Sequence, residues 1–106
     1  MKLLFQMAAC VCMAAGLPAL AADHVIDQKG KTFSERTLTI KAGDFVIFKN
    51  SDDVTHNVYS ASPNMKLDIG RQAPGHPVRV PFKNPGIVEI RCAIHPRMRL
   101  TITVKK

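Results

Sequence analysis

An all-β sandwich of Greek-key type, with about seven to eight short strands, is the fold this sequence predicts. Three observations lead there. Hydrophobic residues alternate with a period of two, Gly, Pro, Asn and Asp interrupt them at short intervals, and no segment shows a convincing helical period. A small open barrel fits the same pattern and stays open at this level.

Thr37-Leu38-Thr39-Ile40-Lys41 alternates cleanly and ends at an Ala42-Gly43-Asp44 turn. Asp44 to Lys49 is apolar on both faces, as a central strand would be. After the Asn50-Ser51-Asp52-Asp53 turn, Val54, His56 and Val58 share one face, with Thr55, Asn57 and Tyr59 on the other. The stretch from Ala61 to Gly75 holds Pro63, Gly70 and Pro74 and reads mostly as loop. Val78, Val80 and Phe82 face one way, and Pro81 marks an edge strand because it cannot donate to a ladder. Asn84-Pro85-Gly86 turns the chain into a strand whose inward residues are Val88, Ile90 and Cys92. Leu100, Ile102 and Val104 alternate with Thr101, Thr103 and Lys105 in the last strand.

The beginning of the chain has a different character. Lys2, an apolar run from Leu3 to Leu17 and Ala19-Leu20-Ala21 together describe a secretory signal peptide over residues 1–21. The run is too short to span a bilayer comfortably. An uncleaved anchor, or a lipoprotein modified at Cys10, are the weaker alternatives. Residues 22–106 then form one domain, exported and free of the membrane. Cys10 and Cys12 leave with the leader, so Cys92 is the one cysteine of that domain. Small exported domains usually add disulfides or a metal to a thin core, and a disulfide is not available here. A lone thiol in an oxidising compartment is a liability unless it has a task, which makes a metal ligand the leading idea.

The sequence carries 15 basic against 8 acidic residues, a formal charge of +7. Solubility alone accounts for such a surface, and so does steering toward acidic partners. An exported chain without a nucleic-acid motif makes nucleic acid an improbable partner. No nucleophile–base pair, carboxylate dyad or phosphate loop is apparent, so no enzyme activity is expected.

Cys92-Ala93-Ile94-His95-Pro96-Arg97-Met98 carries the chemistry. A thiolate, an imidazole and a thioether sit at even three-residue steps on one connection between two strands. Thiolate and thioether suit Cu(I), and imidazole suits both Cu(I) and Cu(II). Two histidines and a cysteine in a trigonal plane, with a long axial methionine, describe a blue-copper site. His56 is the best candidate for the second histidine, because it shares the inward parity of Val54 and Val58. Taken singly, each residue has a plainer reading: an inert buried thiol, a core methionine, a structural histidine. Zinc competes through a His2Cys-plus-water arrangement, although thioether adds little for zinc. A dinuclear copper site needs two cysteines and is excluded.

The Cys-x2-His-x2-Met loop after a strand and a Pro-Gly turn resembles the cupredoxins. Gly43-Asp44-Phe45-Val46-Ile47-Phe48-Lys49-Asn50 followed by His56-Asn57-Val58 resembles their strand with the first histidine. The likeness runs from about Thr37 to Val104. The short spacing is similar to amicyanins and pseudoazurins rather than plastocyanins or azurins. Pro96 directly after His95 is similar to amicyanin in particular, and small cupredoxins of methylamine utilisation look closest overall. The resemblance implies His56, Cys92, His95 and Met98 as ligands of one type 1 copper, with Asn57 bracing the ligand loop. It implies single-electron transfer in the periplasm, by a monomer, between redox proteins such as a dehydrogenase or a c-type cytochrome. His95 would be the electron port, ringed by Ile94, Pro96 and Met65 or Pro74. Arg97, Arg99 and Arg71 would form a basic rim for an acidic docking face. Copper storage or delivery without redox cycling is the alternative function. A departure from the pattern is Leu100, where cupredoxins often have glycine.

His76, between Gly75 and Pro77, reads as a solvated loop residue. With cleavage after Ala21, Ala22-Asp23-His24 would place a histidine third and could wrap Cu(II) in a square plane. Cleavage after Ala22 would abolish that second site.

Overall fold

The computed structural model describes residues 20–106. The leader expected over residues 1–21 therefore lies, apart from Leu20 and Ala21, outside the described residues. Among the described residues there are nine strands and no helix: β1 (Asp23–Lys29), β2 (Thr32–Phe33), β3 (Thr37–Lys41), β4 (Phe45–Asn50), β5 (His56–Ser60), β6 (Leu67–Gln72), β7 (Val78–Pro81), β8 (Gly86–Arg91) and β9 (Arg99–Lys105). They form two sheets, ordered β2-β1-β4-β7 and β3-β9-β8-β5-β6. The β1–β4 and β3–β9 pairs are parallel and the remaining pairs antiparallel.

The alternation read from the sequence is what closes the sandwich. Leu100, Ile102 and Val104 of β9 and Val88 and Ile90 of β8 are buried, while Glu89 and Arg99 point outward. The other sheet answers with Ile26 of β1 and Val46 and Phe48 of β4. Burying each such side chain stabilises the fold by roughly 1.5–3 kcal/mol relative to exposure. Leu100, which departs from the expected glycine, is fully buried and is an ordinary core residue of β9. Pro81 lies in β7, which bonds to β4 alone and is an edge strand, so its missing N–H breaks no central ladder.

Three strands lie where the alternation predicts none. The N-terminal region forms β1 and β2, a hairpin turned by Gly30 and Lys31 with φ of 63° and 58°. Positive φ at both central residues matches the twist of the flanking strands. β1 hides from a pattern reading because one of its inward residues is polar. Gln28 is buried through bonds from its Nε2 to Gln72 Oε1 at 2.7 Å and to Lys49 O at 3.0 Å. β6 corrects the expectation of a loop over Ala61–Gly75. Asn57 pairs with Arg71 and Tyr59 with Asp68, so Ile69 and Gly70 together stand opposite Val58. This is a bulge, with Gly70 at φ 76°, and its glycine disguises the strand.

Candidate metal centre

The site forms where β5 begins and β8 ends. Arg91 of β8 pairs with Arg99 of β9, so the chain from Cys92 to Met98 is the loop of a hairpin. The Met98 amide donates to His95 O at 3.0 Å and tightens that loop. β5 runs antiparallel to β8, with Tyr59 opposite Arg91, which brings His56 to the same end as Cys92.

The three predicted nitrogen and sulfur groups converge. His56, Cys92 and His95 present ligand atoms that all lie within 4.8 Å of one another. The two Nδ1 atoms face each other at 3.1 Å, and Cys92 Sγ is 3.9 Å from His95 Nδ1. The imidazole planes cross at 66°, so the rings meet edge-on and are not stacked. His56 is fully buried, Cys92 and Met98 nearly so, and His95 is half-buried beside exposed Ile94 and Pro96. Met98 thus has a buried place at the end of the same loop.

Hydrogen bonds hold these groups from behind. The Asn57 amide donates to Cys92 Sγ at 3.3 Å and fixes the position of the sulfur. Asn57 Oδ1 accepts from Ala93 N at 3.1 Å, and its Nδ2 donates to Asp68 Oδ1 and Gly70 O, both at 2.9 Å. Strict alternation turns Asn57 outward, yet it is buried, because the bulge in β6 wraps its side chain. His56 Nε2 lies 2.8 Å from Asp52 Oδ2, a partner that pattern reading misses. Only the i,i+4 spacing of Asp52 and His56 hinted at it, and that spacing predicts contact in helices, not turns. Asp52 is held at a pKa of about 2, first by the Lys31 amide and then by His56. Burial, and then the charges of His56 and Lys31, push His95 below the ordinary histidine value.

Other expected positions divide. Pro74 follows Gln72, the partner of His56, and lies exposed at the site's end. Met65 does not ring His95. Asn64 O accepts from Asn84 Nδ2, and the Asn64 side chain lies against Gly86, so this turn sits at the opposite end of β8. Arg97 and Arg99 are exposed and line a groove beside Met98 together with Arg36 and Arg91. Arg71 is opposite Asn57, also at this end. His76 is exposed. His24 is built into β1 opposite Val46, and its Nε2 lies 2.9 Å from Asp44 Oδ2. The Ala22 amide donates to Asp44 Oδ1 at 3.0 Å. An extended, paired strand does not wrap a square-planar ion, so the Ala22-Asp23-His24 site is not formed in this fold.

Two soft-to-borderline nitrogens and a sulfur facing one point, with a buried thioether on the same loop, fit copper. Residues 21–105 match the family of copper binding proteins described as plastocyanin/azurin. The methylamine utilization protein MauL of Methylorubrum extorquens is 30% identical over 89 residues, covering 83% of this chain and 78% of that protein. A reduced Cu(I) form of an amicyanin variant superposes with a TM-score of 0.73 at 24% identity, over 87% of this chain and 89% of that one. The copper-containing nitrite reductase NirK of Thermus scotoductus gives 0.73 at 24% identity, over 86% of this chain but only 24% of its own. These two likenesses share the fold. With a single His-Cys-His cluster among the described residues, the cofactor is one type 1 copper. The chain belongs to the plastocyanin/azurin family of copper-binding proteins.

Proposed function

We propose that this chain is a periplasmic blue-copper electron carrier, with His56, Cys92, His95 and Met98 as the copper ligands. One observation carries the reading: both histidine Nδ1 atoms and the Cys92 sulfur converge within 4.8 Å under a nearly closed protein shell. When bound, copper would supply reversible one-electron exchange between Cu(II) and Cu(I). The chain's own residues do the rest. His56 on β5 and Cys92 directly after β8, neighbouring strands of one sheet, give a rigid base, and the Asn57–Ala93 bond fixes the loop that carries His95. Rigid, largely buried ligands limit reorganisation and restrict the access of water. The burial of His56, Cys92 and Met98 favours retention through many reductions over copper delivery to an acceptor.

His95, with exposed Ile94 and Pro96 beside it, is the exit for the electron. The arginines at 36, 71, 97 and 99 form no ion pair among the described residues, and they favour partners with an acidic face. MauL is named for methylamine utilisation, which is in keeping with redox partners such as a dehydrogenase or a c-type cytochrome. The leader over residues 1–21 would deliver the chain to the periplasm, where it would act as a monomer. The test is to add Cu(II) to residues 22–106 and record the visible spectrum, then repeat with Cys92→Ser. An intense thiolate-to-copper band that disappears in the variant supports the reading; a pale complex overturns it.

A further inference from the structure

His56 is the fully buried histidine of the pair, and its two ring nitrogens face different surroundings. Nδ1 faces His95 across the metal pocket, and Nε2 lies 2.8 Å from Asp52 Oδ2. That carboxylate is not a loose surface acid. The same oxygen accepts from the Lys31 amide at 2.9 Å, at the tip of the β1–β2 hairpin. The Asp52 amide donates to Asn50 Oδ1 at 3.0 Å. Asn50 is itself buried, and its Nδ2 donates to Val54 O at 2.9 Å and Gln72 O at 3.0 Å. Gln72 Oε1 accepts from Gln28 Nε2 at 2.7 Å. A run of hydrogen bonds therefore links the first sheet, through buried amides and one carboxylate, to the imidazole.

Resting on the copper reading above, we propose that Asp52 is a positioning residue that sets the copper's reduction potential through His56. Two effects follow from the geometry. An acceptor at Nε2 keeps the ring proton there and leaves the Nδ1 lone pair for the metal, with the ring orientation locked. The carboxylate charge makes the imidazole a stronger donor and favours Cu(II), the more highly charged state, over Cu(I). Its low exposure, 13% for the side chain, limits the screening of that charge.

Asp52→Asn and Asp52→Ala separate the two effects. Asparagine keeps an oxygen that can accept from Nε2 but removes the charge; alanine removes both. The readout is the potential of the copper-loaded variants, with the visible band recorded alongside. Asp52→Asn should keep the band and shift the equilibrium toward Cu(I) at least tenfold, a rise of about 59 mV for a one-electron couple. Asp52→Ala should raise the potential and also weaken copper binding. An unchanged potential with the band intact overturns the proposal and leaves Asp52 a hairpin anchor. A wild-type protein without the band overturns the copper reading, and this inference with it. If neither variant folds, nitrogen-15 NMR of the wild-type Cu(I) protein decides. A slowly exchanging His56 Nε2 proton supports the carboxylate contact, and a rapidly exchanging one refutes it.

Discussion

Asn57→Ala tests how the ligand loop is held. The substitution leaves the backbone amide that donates to Cys92 Sγ, and deletes three side-chain bonds: from Ala93 N at 3.1 Å, to Asp68 Oδ1 at 2.9 Å and to Gly70 O at 2.9 Å. Two neutral bonds at about 1 kcal/mol each, and one to a carboxylate at about 2 kcal/mol, give about 4 kcal/mol at most. Ala93, Asp68 and Gly70 are exposed, so water recovers part of this, and about 2 kcal/mol remains. For a domain of this size that corresponds to a fall in Tm of about 8–16 °C. The assay is thermal unfolding of the copper-free protein followed by circular dichroism, paired with a copper competition titration. Affinity should weaken about 10–100-fold, as for other groups that support metal ligands. Asn57→Asp keeps the acceptor for Ala93 but sets a second carboxylate beside Asp68. It should recover copper affinity more than thermal stability. A Tm loss below about 2 °C with unchanged affinity would refute the claim that Asn57 holds the loop.

Three further outcomes follow from named contacts. Met98→Leu conserves volume at a buried site and should cost less than about 1.5 kcal/mol. Met98→Ala leaves a cavity and should cost about 2–5 kcal/mol. Denaturant titration separates these two, and the leucine variant should have a raised reduction potential, because Cu(II) gains more than Cu(I) from an added donor. Acid stability should depend on Asp44, whose carboxyl drops from 3.8 to about 2 through the Ala22 amide first, then His24 and the Lys41 amide. Its folded pKa lies below its unfolded one, so its contribution is present above about pH 4 and is lost as pH falls toward 2. Asp44→Asn should flatten Tm against pH over that window, and an unchanged acid limb would exclude the contact. Electron transfer with an acidic partner should slow as salt rises, because the arginine contacts are screened within about 10 Å at 0.1 M salt; a flat response would remove the basic rim from the docking step.

Much of this protein can be read along the chain, because its signals are local. The alternation of Leu100, Ile102 and Val104 and the turn at Pro85-Gly86 define strands within a few residues of themselves. Cys92, His95 and Met98 share one loop, so their spacing alone puts three donors near one another. The parity of His56 adds a fourth candidate donor. What stayed hidden depends on partners distant in sequence. β6 is disguised by its own bulge at Gly70, and β1 by the buried Gln28, whose amide bonds Gln72 on the other sheet. Met65 lies by the far end of β8 from His95, since the direction in which a long connection runs is decided by what it packs against. The same holds for His24, which could have been a free terminal ligand and is instead tied to Asp44 within a paired strand. Asp52 and Asn57 surround the metal groups because β1–β2, β5 and β6 meet there. Local propensity and chemistry therefore determine which residues can bind metal, whereas burial, hydrogen-bond orientation and ring tautomer are decided only when the two sheets close on each other.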